Sequence, residues 1–348
     1  MAREGGVAGM LKLSAADFGE IRTWMHRNTR PLEMALWVHL FEAGIAAGAR
    51  SDADSGTVAV TASAASTDTR SAVWEALSHY RNADGGFGNA LEPDSWNPAS
   101  SPYTTLKVLD LLDGAGMPPA GHPLVQGILR YIETCPHATA DGWPFSIPTN
   151  DDHPHAPWWT FDPKANEFEH IGVTTGLCAY ILRLAPAGSP LHTRAVTLAN
   201  KWIEQFLAVA NFGEMGLGGF CQLYEAVRNT GMEAAIPLGD LQARLRARIT
   251  ASIEYDTNLW MYHKVRPSWY IRTPDSPWLP GNEAILETEL DYLVRTRPAN
   301  GVWDIDWSWF DNNDRYPKAF AISENWWKGW CAIEKLTLLR RFGRIEAD

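Results

Sequence analysis

The feature that most constrains the fold is a repeated turn, in which a glycine and an aromatic residue follow the end of a helix. The clearest instances are "YRNADGGFGN", "TADGWPF" and "RTRPANGVWD", and a weaker one is "ANFGEMGLGGF". Their aromatic residues Phe87, Trp143, Phe220 and Trp303 are 56 to 83 residues apart, so the period is loose. Glycine permits a tight turn, and the aromatic side chain can fill the gap between neighbouring helical hairpins. We therefore predict a chain of repeated helical hairpins.

Helical periodicity dominates the rest of the sequence, and no alternating strand of useful length occurs. The pattern predicts helices over 14–29, 31–44, 71–82, 103–114, 122–135, 167–185, 191–210, around 236–254, 282–296 and 319–343. Neither helix of a hairpin can bury its apolar face alone, so stacked hairpins that close on themselves would form a barrel of inner and outer helices. The predicted fold is all-α, an α/α toroid with long loops rich in Pro and Trp at one end.

We predict a single toroid domain over residues 1–348, a length that one large hydrophobic core can organise. Residues 45–70 depart from the helical pattern, because they are mainly Ala, Ser, Thr, Asp and Gly. Such a segment cannot bury enough apolar surface to offset its ordering entropy. We expect a flexible, low-complexity insertion there.

Composition argues against several kinds of partner. The formal net charge of −11 leaves no basic stripe for a nucleic acid. The N-terminus lacks an apolar signal region, and no segment approaches the roughly 20 apolar residues of a membrane span, so we expect a cytoplasmic protein. The cysteines are far apart and form no C-x-x-C pair, which favours buried thiols over a zinc site or a disulfide framework. No phosphate-binding or dinucleotide fingerprint indicates a cofactor.

The segments "YRNADGGFGNALEPD" and "YLVRTRPANGVWD" resemble the repeats of the terpenoid cyclase and protein prenyltransferase α/α-toroid superfamily. With "PHAPWW" and "ENWWKGW", the pattern is most similar to bacterial prenyltransferase-like, squalene-cyclase-like proteins. The resemblance covers most of the chain outside 45–70 and implies the toroid fold. The motifs for activity depart from the family. "DIDW" offers only Asp-x-Asp in place of the cyclase acid motif, "DNND" is only superficially similar to a magnesium motif, and Cys221 lacks the aspartate that precedes the zinc-binding cysteine.

Three acidic loops follow the clearest Gly-aromatic turns. They are "NALEPDSWNPASSP" (89–102), "SIPTNDDHPHAPWWTFDPKAN" (146–166) and "DIDWSWFDNNDRYPK" (304–318). Because the repeats run in one sense around the ring, we expect these loops to gather at one end of the barrel. The sequence therefore predicts a pocket there.

Glu92 and Asp94 flank Pro93, which we expect to hold the segment extended. One carboxyl could act as a general acid whose pKa is raised by the charge of the other. The alternative is that both carboxylates cap turns and accept hydrogen bonds from backbone N–H groups.

Asp304 and Asp306 are two residues apart, so in an extended segment they would project to one side among tryptophans. Burial among indoles would raise the pKa of such a carboxyl, as an acid catalyst requires. Tryptophan faces could also stabilise a cation or stack on a sugar. The alternative is a solvated loop over packed tryptophans, because many of the 17 tryptophans should be structural.

His153 and His155 lie beside Asp151 and Asp152, but a His-Pro-His spacing without a third ligand is a weak zinc signal. We expect no metal there and favour a hydrogen-bonding or acid–base histidine at the rim. Glu324 would point into the cavity if its helix is an inner one, and into solvent otherwise. The expected substrate-binding residues are Trp96, His153, His155, Trp158, Trp159, Trp307, Trp309 and Glu324.

These residues predict an enzyme in which one carboxylic acid among Glu92, Asp94, Asp304 and Asp306 protonates an apolar or isoprenoid small molecule. A carbohydrate-active enzyme is the alternative, with paired carboxylates as acid and base and tryptophans stacked on sugar rings. A non-catalytic binding or scaffold module with the same pocket is a third interpretation.

Overall fold

A computed structural model describes residues 10–43, 69–208 and 214–346 of the chain. In these ranges the regular structure is helical, and β contacts are limited to isolated bridges. The all-α prediction is confirmed. The predicted insertion over 45–70 lies outside the described residues, except for its last two, which belong to a helix. None of the described helices is long and apolar enough to cross a membrane.

The helices of the described residues are α1 (Ala15–Asn28), α2 (Pro31–Trp37), α3 (69–78), α4 (Pro102–Ala115), α5 (Pro123–Thr134), α6 (Pro163–Leu184), α7 (Pro190–Ala208), α8 (Glu214–Thr230), α9 (Leu241–Ser252), α10 (Glu283–Thr296), α11 (Asp311–Arg315) and α12 (Pro317–Arg341). Ten of these helices lie close to predicted positions, whereas α8 and α11 were not predicted. A π-helical turn at Val38–Glu42 continues α2, and short 3-10 turns cover Pro148–Asp152, Pro157–Trp159, Thr257–Tyr262 and Pro267–Trp269.

The chain divides into two compact units. The first unit contains the described residues of Met1–Thr29, Ser252–Trp307 and Asn325–Asp348, and the second contains those of Arg30–Ala251 and Ser308–Glu324. The single toroid domain therefore stays a prediction, and each unit is described by itself.

The core of the second unit is α6, which is buried without interruption from His170 to Leu182. It packs mainly against α8 and also contacts α7 and α4. Gly219 of α8 allows this close approach: a Cβ there would lie 2.2 Å from Thr175 Oγ1 and 2.4 Å from Gly172 O. The Gly-aromatic turn predicted at Phe220 is therefore wrong, because Phe220 lies within α8.

Two clear Gly-aromatic turns of the second unit have the predicted form. Gly85 has φ of 96°, and a Cβ on it would lie 2.2 Å from Gly127 O. Gly142 has φ of 139°, and the Trp143 side chain that follows is buried and donates from its indole N–H to Ile132 O at 2.8 Å. Glycine is thus required in both turns, and Trp143 closes the second turn against the preceding helix α5.

The first unit contains α1, α10 and residues 325–341 of α12. Trp303 is buried and donates from its indole N–H to Leu293 O of α10 at 3.0 Å. The buried Arg344 side chain forms ion pairs with Glu287 and Asp291 of the same helix. These contacts fix the segment around Trp303 and the end of the described chain on α10.

The four cysteines are buried, and none forms a disulfide. This agrees with the expectation of buried thiols from their spacing.

Candidate functional site

The acidic loop 89–102 begins with a strained turn. Asn89 and Ala90 both have positive φ, 57° and 55°, and Leu91 N donates to Gly88 O at 3.1 Å. Two successive left-handed residues are characteristic of a type I′ turn, in which alanine is strained because of its Cβ. The turn therefore needs external contacts that hold it.

Arg30, at the N-terminus of α2, supplies those contacts. Its Nη1 donates to Ala90 O at 2.7 Å, and its Nη2 donates to Leu91 O at 3.3 Å. Its Nε donates to both carboxylate oxygens of Glu33, at 3.1 and 2.9 Å, and both side chains of this ion pair are buried. Breaking one side of a buried ion pair is costly, so this pair clamps the loop firmly to α2.

Glu92, Pro93 and Asp94 form the next turn, which Ser95 N closes by donating to Glu92 O at 3.0 Å. The expectation of an extended segment is wrong, because the fixed φ of proline also suits the second position of a β-turn. Glu92 and Asp94 are 3% and 2% exposed. One short turn therefore buries two carboxyl groups.

The Glu92 carboxyl is the strongest proton-donor candidate. Burial, and then the negative charge of Asp94, raise the pKa of Glu92 to about 8, although Lys107, the Asp94 backbone N–H and Arg30 oppose the shift. Oε2 of Glu92 is buried and has no hydrogen-bond partner among the described residues. At neutral pH the carboxyl is therefore largely protonated, with one oxygen uncommitted.

Asp94 is held by a tryptophan from the third acidic loop. The indole N–H of Trp309 donates to Asp94 Oδ1 at 2.6 Å, and Trp309 is fully buried. The turn is fixed further by Ser323 of α12, which donates to Pro93 O at 2.5 Å and accepts from the Trp96 indole at 2.9 Å. Trp96 and Trp309 therefore position the acidic turn.

Hydrogen bonds join parts of all three acidic loops within the second unit. Trp96 N donates to Pro154 O at 2.9 Å, and Ala156 N donates to Asp94 O at 2.8 Å. Asn312 Nδ2 donates to His155 O at 2.8 Å. The expected meeting of the loops thus holds for residues 308 onward of the third loop, whereas Asp304 and Asp306 belong to the first unit.

His155 stabilises this junction through both ring nitrogens. Nδ1 lies 2.7 Å from His153 O and Nε2 lies 3.0 Å from Thr160 Oγ1, and His155 is buried. His155 therefore has no ring nitrogen left for a rim role, while His153 is half-buried. The described residues contain no group of three or more His, Cys, Asp or Glu that could hold a metal ion.

An aromatic cluster includes Tyr103, which interacts electrostatically with Glu92. The charges of Glu92 and Asp94 add to burial in raising the pKa of Tyr103 at the start of α4, which places the three groups in one electrostatic cluster. The Tyr103 ring lies 4.5 Å from that of Trp159, which stacks on Phe145 at 4.6 Å. The Trp159 indole N–H is buried without a hydrogen-bond partner among the described residues.

A polar row on α4 leads away from this cluster. Lys107 Nζ lies 5.9 Å from the Tyr103 ring centroid, and its positive charge lowers the pKa of both Tyr103 and Glu92. One turn further, Asp110 Oδ1 accepts from Tyr180 of α6 at 2.9 Å and from Gln222 of α8 at 2.8 Å. The second unit therefore has a polar interior surface where α4, α6 and α8 meet.

Asp304 does not have the predicted environment. Its side chain is largely exposed and forms an ion pair with Lys328 Nζ at 2.9 Å. The expected burial among indoles is wrong for Asp304, and of the two carboxylates only Asp306 is largely buried.

Asp306 also differs from the expected acid. Burial alone would raise its pKa, but a hydrogen bond from His263 Nδ1 at 2.8 Å and the charge of Arg266, whose Nη2 lies 3.2 Å away, give a pKa below its ordinary value. Asp306 is thus a stable carboxylate at neutral pH and a poor proton donor.

The remaining predicted residues have various environments. Trp307 is half-buried, and its ring centroid lies 5.1 Å from that of Trp327 in an edge-to-face contact. Trp158 is 37% exposed. Glu324 lies on α12 next to the buried Ser323 and is half-buried.

Sequence reasoning missed Arg30, Tyr103, Lys107, His263 and Arg266. A weak signal existed for Tyr103 and Lys107, because they are four residues apart on one face of a predicted helix. Arg30 has a local partner in Glu33, but its contacts with the acidic loop lie about 60 residues away. The partners of His263 and Arg266 are also distant along the chain.

The chain was also compared with models of known protein families, with curated proteins and with solved structures, and none of them matches it. The interpretation of the site therefore rests on the chemistry of its own residues.

Proposed function

We propose that the protein is an enzyme in which Glu92 donates a proton to a largely apolar small molecule. The observation that carries this proposal is the buried Glu92 carboxyl, with a pKa of about 8 and one oxygen without a partner among the described residues. A general acid is most effective when its pKa lies near the working pH. Of the other three carboxyls expected from the sequence, Asp94 accepts a hydrogen bond from Trp309, the largely exposed Asp304 forms an ion pair, and Asp306 has a lowered pKa.

Asp94 has the supporting role in this mechanism. Its negative charge disfavours ionisation of Glu92, and the Trp309 indole N–H stabilises Asp94 as the carboxylate. After proton transfer, Glu92 becomes a second negative charge in the same turn. Lys107 and Arg30 favour that ionised form, so they limit the cost of the transfer.

The aromatic surroundings favour an apolar substrate. Tyr103, Phe145 and Trp159 form a continuous ring cluster, and the charges of the acidic turn act on Tyr103 within it. Protonation of a carbon–carbon double bond uses its π electrons to form a C–H bond and leaves a carbocation, which aromatic faces stabilise through their quadrupoles. Loss of a proton from a neighbouring carbon then restores a neutral product. This chemistry agrees with the resemblance to terpenoid cyclases and prenyltransferase-like proteins.

The toroid is part of the same proposal. In the second unit α6 contacts both α4 and α8, and Gln222 of α8 donates to Asp110 of α4, as inner helices would, while α5 and α7 bury one face and expose the other. This alternation supports a toroid in which α4, α6 and α8 are inner helices and α5 and α7 are outer ones.

The carbohydrate-active alternative has less support at this turn. Acid and base of a glycosidase flank the scissile bond, with carboxyl groups about 5 to 10 Å apart. Glu92 and Asp94 belong to one four-residue turn, and their charges are coupled strongly enough to shift the pKa of Glu92. That arrangement suits one proton donor with a neighbouring anion.

The test begins with a thermal-shift screen of isoprenoid diphosphates, isoprenoid hydrocarbons and oligosaccharides. For each isoprenoid compound that raises Tm, products are measured by gas chromatography with the wild-type chain, with Glu92→Gln and with the exposed control Glu204→Gln. We expect an isoprenoid compound to bind and react, and Glu92→Gln to lower kcat by about 10²- to 10⁴-fold while Tm still rises on binding. The control should react at the wild-type rate.

Three results would contradict the proposal. Equal turnover by Glu92→Gln would remove Glu92 as the acid. A ligand that binds but is never converted would instead indicate a non-catalytic binding module. Binding and hydrolysis of oligosaccharides alone would support the carbohydrate-active alternative.

A further inference from the structure

The first unit contains a row of alternating charges that ends at a histidine. Glu289 of α10 is buried and accepts hydrogen bonds from Ser268 N at 2.8 Å and Ser268 Oγ at 2.6 Å. Arg266 lies between two carboxylates: its Nε is 3.7 Å from Oε1 of Glu289, and its Nη2 is 3.2 Å from Oδ2 of Asp306. Asp306 in turn bonds His263 at 2.8 Å. The row therefore runs from the interior to a side chain that is 49% exposed.

This row fixes how the imidazole is presented. A carboxylate only accepts hydrogen bonds, and the lowered pKa of Asp306 keeps it ionised, so Nδ1 of His263 carries the proton. In the neutral ring Nε2 is then a hydrogen-bond acceptor. His263 also has a left-handed backbone, with φ of 53°, which is uncommon outside glycine and is often found at functional sites.

Two aromatic rings lie close to the imidazole of His263. The ring centroids of Trp269 and Trp307 lie 5.3 and 5.1 Å from that of His263, and both tryptophans are half-buried. The acceptor Nε2 belongs to the half-exposed ring of His263, and it is thus combined with the partly exposed indole surfaces of Trp269 and Trp307.

A second, independent observation concerns the segment that leads to His263. Most large apolar side chains of the described residues are buried, yet Tyr255, Met261 and Tyr262 are 55%, 59% and 63% exposed. Clustered exposure of large apolar side chains commonly marks an interaction site, whereas isolated exposure does not. The three residues lie within eight positions of the chain, and Tyr262 directly precedes the positioned histidine.

We propose that His263, with the rings of Tyr262, Trp269 and Trp307, forms a binding site for a sugar ring. A pyranose has an apolar C–H face that packs on the negatively polarised face of an aromatic ring. Its hydroxyl groups can donate to the Nε2 acceptor of His263. This site lies in the first unit and does not depend on the proton-donor role of Glu92.

Asp306 is a positioning residue in this site, because it acts through His263. Replacing it with Asn removes the fixed acceptor and allows the imidazole proton to move from Nδ1 to Nε2. Nitrogen-15 NMR of the His263 ring distinguishes the two forms at a pH where the ring is neutral. We expect the proton on Nδ1 in the wild-type chain and a shift toward Nε2 in Asp306→Asn.

Binding is tested by NMR titration of the 15N-tryptophan-labelled full chain with cellobiose, maltose and N,N′-diacetylchitobiose. We expect at least one disaccharide to shift the indole signals of Trp269 and Trp307 in a saturable manner. His263→Ala and Tyr262→Ala should each weaken binding by about tenfold, roughly the effect of losing one hydrogen bond or one ring contact.

Phe168→Ala is the matched control, because Phe168 has the same 63% exposure as Tyr262 but belongs to the second unit. It should bind the disaccharide as the wild-type chain does. The proposal is overturned if none of the three sugars shifts these signals, if His263→Ala binds with unchanged affinity, or if the wild-type imidazole carries its proton on Nε2. The titration tests residues of the first unit and does not involve Glu92. A negative result therefore leaves the proton-donor proposal intact.

Discussion

The indole N–H of Trp309 donates a hydrogen bond of 2.6 Å to Oδ1 of Asp94, and both side chains are buried. The two residues are 215 positions apart in the sequence. This bond links the first and third acidic loops and supplies a donor to a carboxylate that has little contact with water. A buried carboxylate that loses a donor pays much of its desolvation cost.

Trp309→Phe should therefore lower the free energy of unfolding by about 2 to 4 kcal/mol, through loss of the hydrogen bond to a charged group and some packing. Urea denaturation measures this change. Trp158→Phe is the matched control, because Trp158 is 37% exposed, and it should change the stability by less than about 0.5 kcal/mol. Equal effects of the two variants would show that the bond to Asp94 contributes nothing specific.

Glu92 should make the stability fall as pH rises. Its pKa in the folded chain, about 8, lies above the ordinary value of 4.5, so the folded chain binds more protons between these limits. The contribution of Glu92 to the free energy of unfolding has its full value below pH 4.5. It decreases as the pH rises from 4.5 to 8, by at most about 1.4 kcal/mol per pH unit.

Glu92→Gln resembles the protonated carboxyl and should remove this slope. The difference in unfolding free energy between variant and wild type should therefore grow in favour of the variant from pH 5 to pH 8. Urea denaturation at several pH values measures it, and Glu204→Gln, at an exposed position, should follow the wild type. Parallel curves for Glu92→Gln and wild type would mean that Glu92 is ionised throughout this range.

Two neighbouring glycines of α8 should respond oppositely to alanine. A Cβ at Gly219 would lie 2.2 Å from Thr175 Oγ1 and 2.4 Å from the backbone oxygen of Gly172, whereas a Cβ at Gly218 meets nothing within 4 Å. Gly219→Ala should destabilise by about 1 to 3 kcal/mol or more, because α6 and α8 must separate. Gly218→Ala should stabilise by up to about 1 kcal/mol through helix propensity. Thermal unfolding of both variants checks the sign, and destabilisation by both would contradict the close approach at Gly219.

The same helix shows where sequence reasoning fails. Glycine is a poor helix former, so "GLGGF" favoured a turn over the first part of α8. The structure places Gly219 where only glycine allows the contact with α6. Tertiary packing therefore overrides propensity there, and the sequence offers no local sign of the partner helix. The turns at Gly85 and Gly142 were predictable, because positive φ is a local requirement.

The candidate site also contains residues that were predictable from the local sequence and residues that were not. Glu92 and Asp94 were predictable as a pair, because the two residues flank Pro93 and their coupling is local. Arg30, which fixes the preceding turn from 60 residues away, was not. Asp306 was misjudged for a similar reason: the tryptophans around it are visible in the sequence, but the pKa is decided by His263 and Arg266.

Ala90 is a position where glycine should be better than the native residue. Its φ of 55° lies in the left-handed region, where a Cβ costs about 1 kcal/mol or more. Arg30 bonds the backbone oxygen of Ala90, so substitution of the side chain leaves that contact intact. Ala90→Gly should therefore stabilise the chain, by about 0.5 kcal/mol after the greater entropy of the unfolded glycine is counted. Ala247→Gly, on the exposed face of α9, should destabilise by about 1 kcal/mol. Urea denaturation of both variants gives the comparison, and a loss of stability in Ala90→Gly as large as in Ala247→Gly would rule out strain at this turn.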